Sequence, residues 1–167
     1  MRAILLGVLC SVGLMLGGCS LNSKISDNHP LLTESSSGAA KVYFIRRQTE
    51  RRMGISDNAL IVDFNDKQVL SLEKGEYVAL NLVPRDYKIT LKNQTEVGPH
   101  WYVKWMSKKY KFNFKADKIY YIEIKSIDGE FRGVFFTAKN MPFYEAKQLA
   151  QLQNLRAAGT LAKQSPL

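Results

Sequence analysis

The feature that most limits the possible folds is a regular series of short β-type segments that begins after residue 40. Runs of apolar, β-branched and aromatic residues are separated by polar turn residues, at intervals of roughly 8 to 12 residues. Within one run, Tyr110, Phe112 and Phe114 alternate with polar residues, which is the period of a strand with one apolar face. About eight such runs predict an antiparallel β-sandwich of about 7–8 strands over residues 41–140.

Turn residues stand at the expected places between these runs. Asn65 and Asp66 separate "ALIVDF" from "KQVLSL", and "VPRD" separates "EYVALNL" from "YKITLK". Asp128 and Gly129 form an expected hairpin turn before "FRGVFF". The series therefore predicts short connections between successive strands.

A helix is predicted after Pro142, in the C-terminal part 141–167. Residues 143–158 contain strong helix formers, and Gly159 is placed to end the helix. A narrow apolar stripe is formed by Ala146, Leu149, Leu152 and Leu155. We expect this helix to pack on the sandwich, and docking on a partner is the alternative.

The first nineteen residues have the pattern of an export signal. Ala3–Leu16 is an uncharged run of fourteen residues, shorter than the ~20 that span a membrane as a helix. Small residues and a cysteine follow, and Leu16–Cys19 resembles the lipobox of bacterial lipoproteins. The resemblance implies cleavage between Gly18 and Cys19 and acylation of Cys19 with fatty chains such as palmitate. The alternative is an incidental Cys19 beyond an ordinary cleavage site.

The residue after Cys19 bears on location. The resemblance implies that Ser20, in place of the Asp that commonly retains Gram-negative lipoproteins at the inner membrane, permits transport to the outer membrane, facing the periplasm. The outside of a single-membrane cell is the second choice. Residues 19–40 are rich in Ser, also contain Asn, Asp, Gly and Pro, and show no sustained period, which is typical of a flexible tether. The expected organisation is a signal peptide (1–18), an anchored tether (19–40), the sandwich (41–140) and the helix with its tail.

The residue inventory gives no support for an enzyme. Cys10 and Cys19 are the two cysteines, so the domain has neither a disulfide nor a cysteine-based metal site. His29 falls in the tether and His100 in a predicted loop, and we expect no metal and no cofactor. A hydrolase would require folding to gather distant acids, of which the candidates are Asp63, Asp86 and Glu123.

The positive net charge of the chain favours anionic partners. The formal charge of +9 becomes +8 if Arg2 is removed with the signal. Lysines alternate with aromatic residues in "KKYKFNFK", as in some nucleic-acid-binding strands. Export argues against nucleic acid, and a solvated strand face that discourages edge pairing is the favoured interpretation of these lysines.

Two further groups are candidate binding residues. Four arginines in seven residues could bind phosphate or carboxylate with their planar forks, or could belong to a plain exposed loop: Arg46, Arg47, Arg51 and Arg52. The segment "HWYVKWM" contains Trp101 and Trp105 and is either a core strand or an exposed aromatic patch for a partner or a sugar.

The order of these segments resembles a domain of unknown function carried by many small bacterial lipoproteins, with a PEGA-like β-sandwich pattern. The matching positions are Tyr43, Phe44, Arg46, Leu72, Gly75, Tyr77, Pro84, Lys118, Tyr120 and Tyr121. The chain departs from the family where Arg85 follows Pro84 in place of Gly, so either the turn type differs or the relationship is looser. The resemblance implies the sandwich fold and carries no catalytic residues.

Together these observations predict a lipid-anchored, non-catalytic binding or structural module of the bacterial cell envelope. A protein partner is the first expectation for its ligand. Direct binding of an anionic envelope component, lipopolysaccharide or peptidoglycan, is the alternative.

Overall fold

The computed structural model describes residues 38–48, 60–97, 102–128 and 133–157. Nine strands and one helix follow one another along this part of the chain: β1 (Ala40–Arg46), β2 (Leu60–Phe64), β3 (Lys67–Leu72), β4 (Glu76–Leu82), β5 (Arg85–Val97), β6 (Tyr102–Phe114), β7 (Ile119–Asp128), β8 (Val134–Met141), α1 (Phe143–Leu152) and β9 (Arg156–Ala157).

The strands form two sheets, and the predicted β-sandwich with one C-terminal helix is confirmed. One sheet has the order β8-β7-β1-β4-β9 and the other the order β3-β2-β5-β6. Most neighbours are antiparallel as expected, but β1 pairs with β7 and β4 pairs with β9 in parallel. Strand β9, of two residues, is the one that the sequence pattern did not predict.

Alternation along the strands builds the core between the sheets. Val42 and Phe44 of β1 point inward, whereas Tyr43 and Ile45 point to the other side of their sheet. Aromatic rings cross the core in an edge-on series, with centroids 5.4 Å apart for Phe44–Phe64 and 5.7 Å for Phe64–Tyr87. Such ring geometry adds to the burial of apolar area.

Two of the predicted turns have different roles. Asn65 and Asp66 both have positive φ, 49° and 67°, and close the β2–β3 hairpin as expected. The Pro84 segment instead carries the chain from one sheet to the other, because β4 and β5 belong to different sheets. Arg85 there begins β5 without a positive φ, so the turn differs from one that needs glycine.

Helix α1 docks on the sandwich, as expected. Ala146 and Leu149 are buried against the outer side of the five-stranded sheet, where they meet Tyr43, Ile45, Tyr77, Ala79 and Met141. Among the described residues, no helix combines the length and apolar character that crossing a membrane requires.

The predicted extent of the helix, residues 143–158, was wrong. The helix ends at Leu152, which is 83% exposed, and Asn154 takes a positive φ of 47°. The chain then turns to pair with β4, where the backbone N–H of Arg156 donates to the carbonyl of Gly75. The Arg156 guanidinium contacts Glu73 at 2.6 Å and Glu76 at 3.2 Å, so a strand contact replaces the last helical turns. Gly159 lies outside the described residues.

Candidate binding face

The two outer faces of the sandwich differ in what covers them. Helix α1 packs on the five-stranded sheet, whereas no helix or strand of the described chain lies on the outer face of the four-stranded sheet. On that second face, Val103 is 55% exposed and Trp105 is 56% exposed. We call this outer face of β3, β2, β5 and β6 the open face.

Strand β6 forms one edge of the open face and carries a concentration of positive charge. Its 13 residues pair with β5 along their full length and include four lysines and no acid: Lys104, Lys108, Lys109 and Lys111. Lys115 and Lys118 follow in the turn to β7, where Asp117 is the only acid between residues 102 and 118. At about 3.4 Å per residue the strand is roughly 44 Å long.

The lysines of β6 point to different sides. Lys109 and Lys111 lie on the open face, opposite Thr90 and Lys88 of β5. Within the described chain, no carboxylate lies within ion-pair distance of either lysine. Lys108 points the other way, with its ammonium 5.3 Å from the centroid of the Phe135 ring. Lys109 and Lys111 are therefore cations of this face that pair with no carboxylate of the described chain.

Like charges meet directly at one position of the open face, where Lys88 lies across from Lys111. Such pairs are destabilising unless a counter-charge is near. Asp66 supplies one, because its carboxylate accepts from the Lys88 ammonium at 2.9 and 2.7 Å, and this contact lowers the pKa of Asp66 below its ordinary value. Lys111 has no equivalent partner within the described ranges.

Two clefts open on this face. The first, of about 380 Å³, is lined by Ile61, Gln68, Lys92, Trp105, Met106 and Ser107. The second, of about 480 Å³, is lined by Asn65, Asp86, Tyr87, Lys88, Lys111, Phe112 and Asn113. The second cleft thus has two lysines on its wall, while the first has one lysine beside an exposed indole ring.

The predicted arginine cluster is not a surface feature at Arg46. This residue is 1% exposed, and its guanidinium donates to the carbonyl of Leu72 at 2.6 Å and lies 5.0 Å from the centroid of the Phe136 ring. Its strand position puts it on the inner side with Val42 and Phe44, so this candidate binding residue is corrected to a core residue. Arg47 is partly exposed and pairs with Glu123 at 3.2 Å. Arg51 and Arg52 lie outside the described residues.

The aromatic segment has its described part on the surface. Tyr102 is 65% exposed and Trp105 is 56% exposed, so the interpretation as an exposed patch holds for this part and the core-strand interpretation does not. Trp101 and His100 lie outside the described residues, as do His29, Gly18 and Cys19. The predictions of lipidation and signal cleavage therefore stay predictions.

The three candidate acids of a hydrolase are not brought together. Asp63 and Asp86 belong to β2 and β5 of the four-stranded sheet, whereas Glu123 lies on β7 and alternates with the core residues Ile122 and Ile124. Glu123 therefore faces the outer side of the opposite sheet. Over the described ranges, no group of three or more His, Cys, Asp and Glu side chains is placed to hold a metal ion.

The fold and this face define a mainly β, two-sheet sandwich with one covering helix and one open, lysine-edged face. Comparison of the chain with protein-family models, with curated proteins and with solved structures gave no match. The resemblance to the lipoprotein domain of unknown function stays a prediction.

Proposed function

We propose that the chain is a lipid-anchored, non-catalytic binding module of the bacterial cell envelope, and that its open face receives an anionic envelope component. The observation that carries the proposal is the placement of Lys109 and Lys111 on the one face that no described element covers, without carboxylate partners there. The lipobox-like Leu16–Cys19 supports a lipid anchor, and Ser20 supports an address at the outer membrane, facing the periplasm. Lipopolysaccharide phosphates and peptidoglycan carboxylates are candidate anions of the cell envelope.

The lysines have a competing explanation, because lysines on an edge strand prevent pairing with another chain. That explanation requires charge at the edge but no ligand. Binding to exposed lysines is an attraction between solvated charges, so it weakens as salt is added and the Debye length falls to about 8 Å near physiological ionic strength. Salt-sensitive binding that depends on Lys109 and Lys111 separates the two explanations.

The test is sedimentation of the purified protein with peptidoglycan and with lipopolysaccharide vesicles at rising salt. We expect the bound fraction of the Lys109→Gln, Lys111→Gln double variant to fall severalfold at low salt. The matched control is Lys139→Gln, Lys147→Gln, which removes two exposed lysines from β8 and α1. Equal sedimentation of the two double variants, or binding of neither polymer by the unaltered protein, would defeat the proposal.

A protein partner is a second candidate, favoured by helix α1. Three apolar side chains of this helix face solvent, with exposures of 54% for Phe143, 62% for Tyr144 and 83% for Leu152. A photo-crosslinker placed at position 144 in cells should capture one specific envelope protein, and the same crosslinker at Lys67 on the other sheet should not. Capture of lipid alone at position 144 would contradict this candidate.

A further inference from the structure

The first cleft of the open face combines apolar and polar groups from all four strands of its sheet. Ile61 comes from β2, Gln68 from β3 and Lys92 from β5, and β6 supplies the rest: Trp105, Met106 and Ser107. Ser107, Lys92 and Ile61 lie side by side in one cross-strand row, because Lys92 pairs with both of the others. The exposed Trp105 ring forms one wall.

A β-bulge turns one of the polar lining residues into the cleft. The register between β2 and β3 shifts between Val62 and Asp63, so that Val69 is the extra residue. Val69 and Leu70 are therefore both buried in the core, and Gln68 lies across from Asp63 on the open face. Without the extra residue, alternation would point Gln68 into the core.

The buried carboxylate of Asp63 lies beneath the cleft and holds the ammonium of Lys92 in place. Asp63 is 2% exposed, and one of its carboxylate oxygens, Oδ2, contacts the Lys92 ammonium. An ammonium has three donors, so Lys92 keeps donors for a ligand while Asp63 holds it in place. Among the described residues that line the cleft, Lys92 is the one charged residue, and the carboxylate of Asp63 balances its charge.

The second carboxylate oxygen of Asp63 and a neighbouring hydroxyl are buried polar atoms. Asp63 Oδ1 and Thr90 Oγ1 have no hydrogen-bond partner in the described chain, and the two residues lie opposite each other on β2 and β5. Buried polar atoms without partners are rare and destabilising, so their presence at one spot calls for a cause. Neither Asp63 nor Thr90 is among the residues that line the cleft, so both atoms belong to the layer beneath it that holds Lys92.

We propose that this cleft binds one pyranose ring of an envelope glycan. The apolar side of the ring stacks on the Trp105 indole, and the ring hydroxyl groups bond to Gln68, Ser107 and Lys92. A neutral ring fits because Asp63 already neutralises Lys92. The inference rests on the proposed function. The cleft binds a sugar of the envelope component, and Lys109 and Lys111 bind its anionic groups.

The test is an NMR titration of the purified protein with neutral oligosaccharides of N-acetylglucosamine, glucose and mannose, following the indole N–H signal that Trp105→Phe identifies. We expect a saturable shift with at least one oligosaccharide. Trp105→Ala should weaken binding about tenfold, in line with the contribution of aromatic stacking. The control Tyr144→Ala removes an exposed aromatic ring from α1 and should change nothing.

Further measurements separate this inference from the proposed function. Gln68→Ala removes an exposed side chain, leaves the core intact and should weaken sugar binding severalfold, which checks the cleft independently of Trp105. Polyphosphate, an anion without a sugar ring, should bind through Lys109 and Lys111 and leave the Trp105 signal in place. If polyphosphate binds but no oligosaccharide shifts Trp105, the sugar site is wrong and the anion-binding proposal stands. If an oligosaccharide binds but no anionic polymer does, the anion-binding proposal is wrong and the sugar site stands.

Discussion

Arg46 is a charged side chain in the space between the two sheets. It joins them, because its guanidinium donates to Leu72 of β3 and lies over the ring of Phe136 of β8. A buried charge is tolerated when it is hydrogen-bonded and near an opposite charge. The buried carboxylate of Glu76 is such a charge: burial raises its pKa, and the Glu73 backbone N–H, then Arg156 and then Arg46 act in the opposite direction.

Replacing Arg46 should therefore destabilise the fold. We expect Arg46→Met to lower the free energy of unfolding by about 2–4 kcal/mol, since it leaves the buried Leu72 carbonyl without its donor and removes one of the cations near Glu76. Arg47→Gln is the control, because it breaks a partly exposed ion pair and should lose less than about 1 kcal/mol. Urea unfolding of the purified variants measures both. Equal losses would contradict a structural role for Arg46.

The position of Arg46 could have been predicted from the strand period, whereas its contacts could not. Val42, Phe44 and Arg46 are two residues apart, so a strand that buries the first two points the third the same way. The density of arginines in "RRQTERR" suggested a surface cluster instead. Nothing local in the sequence shows that Leu72 and Phe136 supply an acceptor and a ring at the end of β1.

At the level of elements, the sequence predicted individual strands and hairpins well and pairing poorly. The alternation in β6 and the Asn65–Asp66 turn depend on neighbouring residues, and both are confirmed. The parallel pair β1–β7 depends on residues far apart in the chain. The bulge is local, but it depends on the register in which β3 pairs with β2, which alternation within each strand does not give. Periodicity gives the face of a residue but not its partner strand, so the cleft that the bulge helps to form could not be predicted.

The β2–β3 turn should respond to acid through Asp66. The Lys88 contact lowers the pKa of Asp66 below its ordinary 3.8. An acid of this kind stabilises the fold above its unfolded pKa, and the contribution is lost as the pH falls through the lowered value. We expect Asp66→Asn, which keeps a residue suited to φ 67°, to be slightly less stable than the unaltered protein near pH 7 and equal to it in strong acid.

Two measurements check this prediction. An NMR titration should give Asp66 a pKa below 3.8 in the unaltered protein, and Lys88→Gln should return it toward that value. Unfolding at about pH 7 and about pH 2 gives the stability difference between the unaltered protein and Asp66→Asn. A difference of the same size at both pH values would show that the turn conformation, and not the ion pair, is responsible.

At the scale of the whole molecule, the two outer faces of the sandwich differ, because α1 covers one of them and the other is open. Helix α1 packs on the outer side of the five-stranded sheet, and β9 forms one edge of that sheet. Lys109, Lys111 and Trp105 lie on the opposite side of the sandwich, on the open face. The proposed anchor at Cys19 would leave about twenty residues before β1, and a flexible chain of that length would span roughly 25 Å, enough to clear lipid head groups and let the open face meet a polymer beside the membrane. The proposed function therefore requires the anchor as much as the face.

The anchor itself is the last prediction. Each buried CH₂ contributes about 0.8 kcal/mol, so one acyl chain holds a protein marginally and two or three hold it essentially permanently. We expect the mature protein to begin at Cys19 with its sulfur and amino group acylated, and to stay with the membrane fraction. Globomycin, which blocks lipoprotein signal cleavage, should leave a heavier precursor, and intact mass measurement identifies both forms.

The chain offers a matched control for this prediction in its second cysteine. Cys19→Ser should abolish the lipid mass and release the domain from membranes, whereas Cys10→Ser should change neither, because Cys10 lies in the segment that the predicted cleavage would remove. A free thiol at Cys19 in a protein that washes from cells would contradict the anchor. The sandwich and its open face would remain, but the envelope ligands proposed for that face would lose their basis, because they depend on the membrane address.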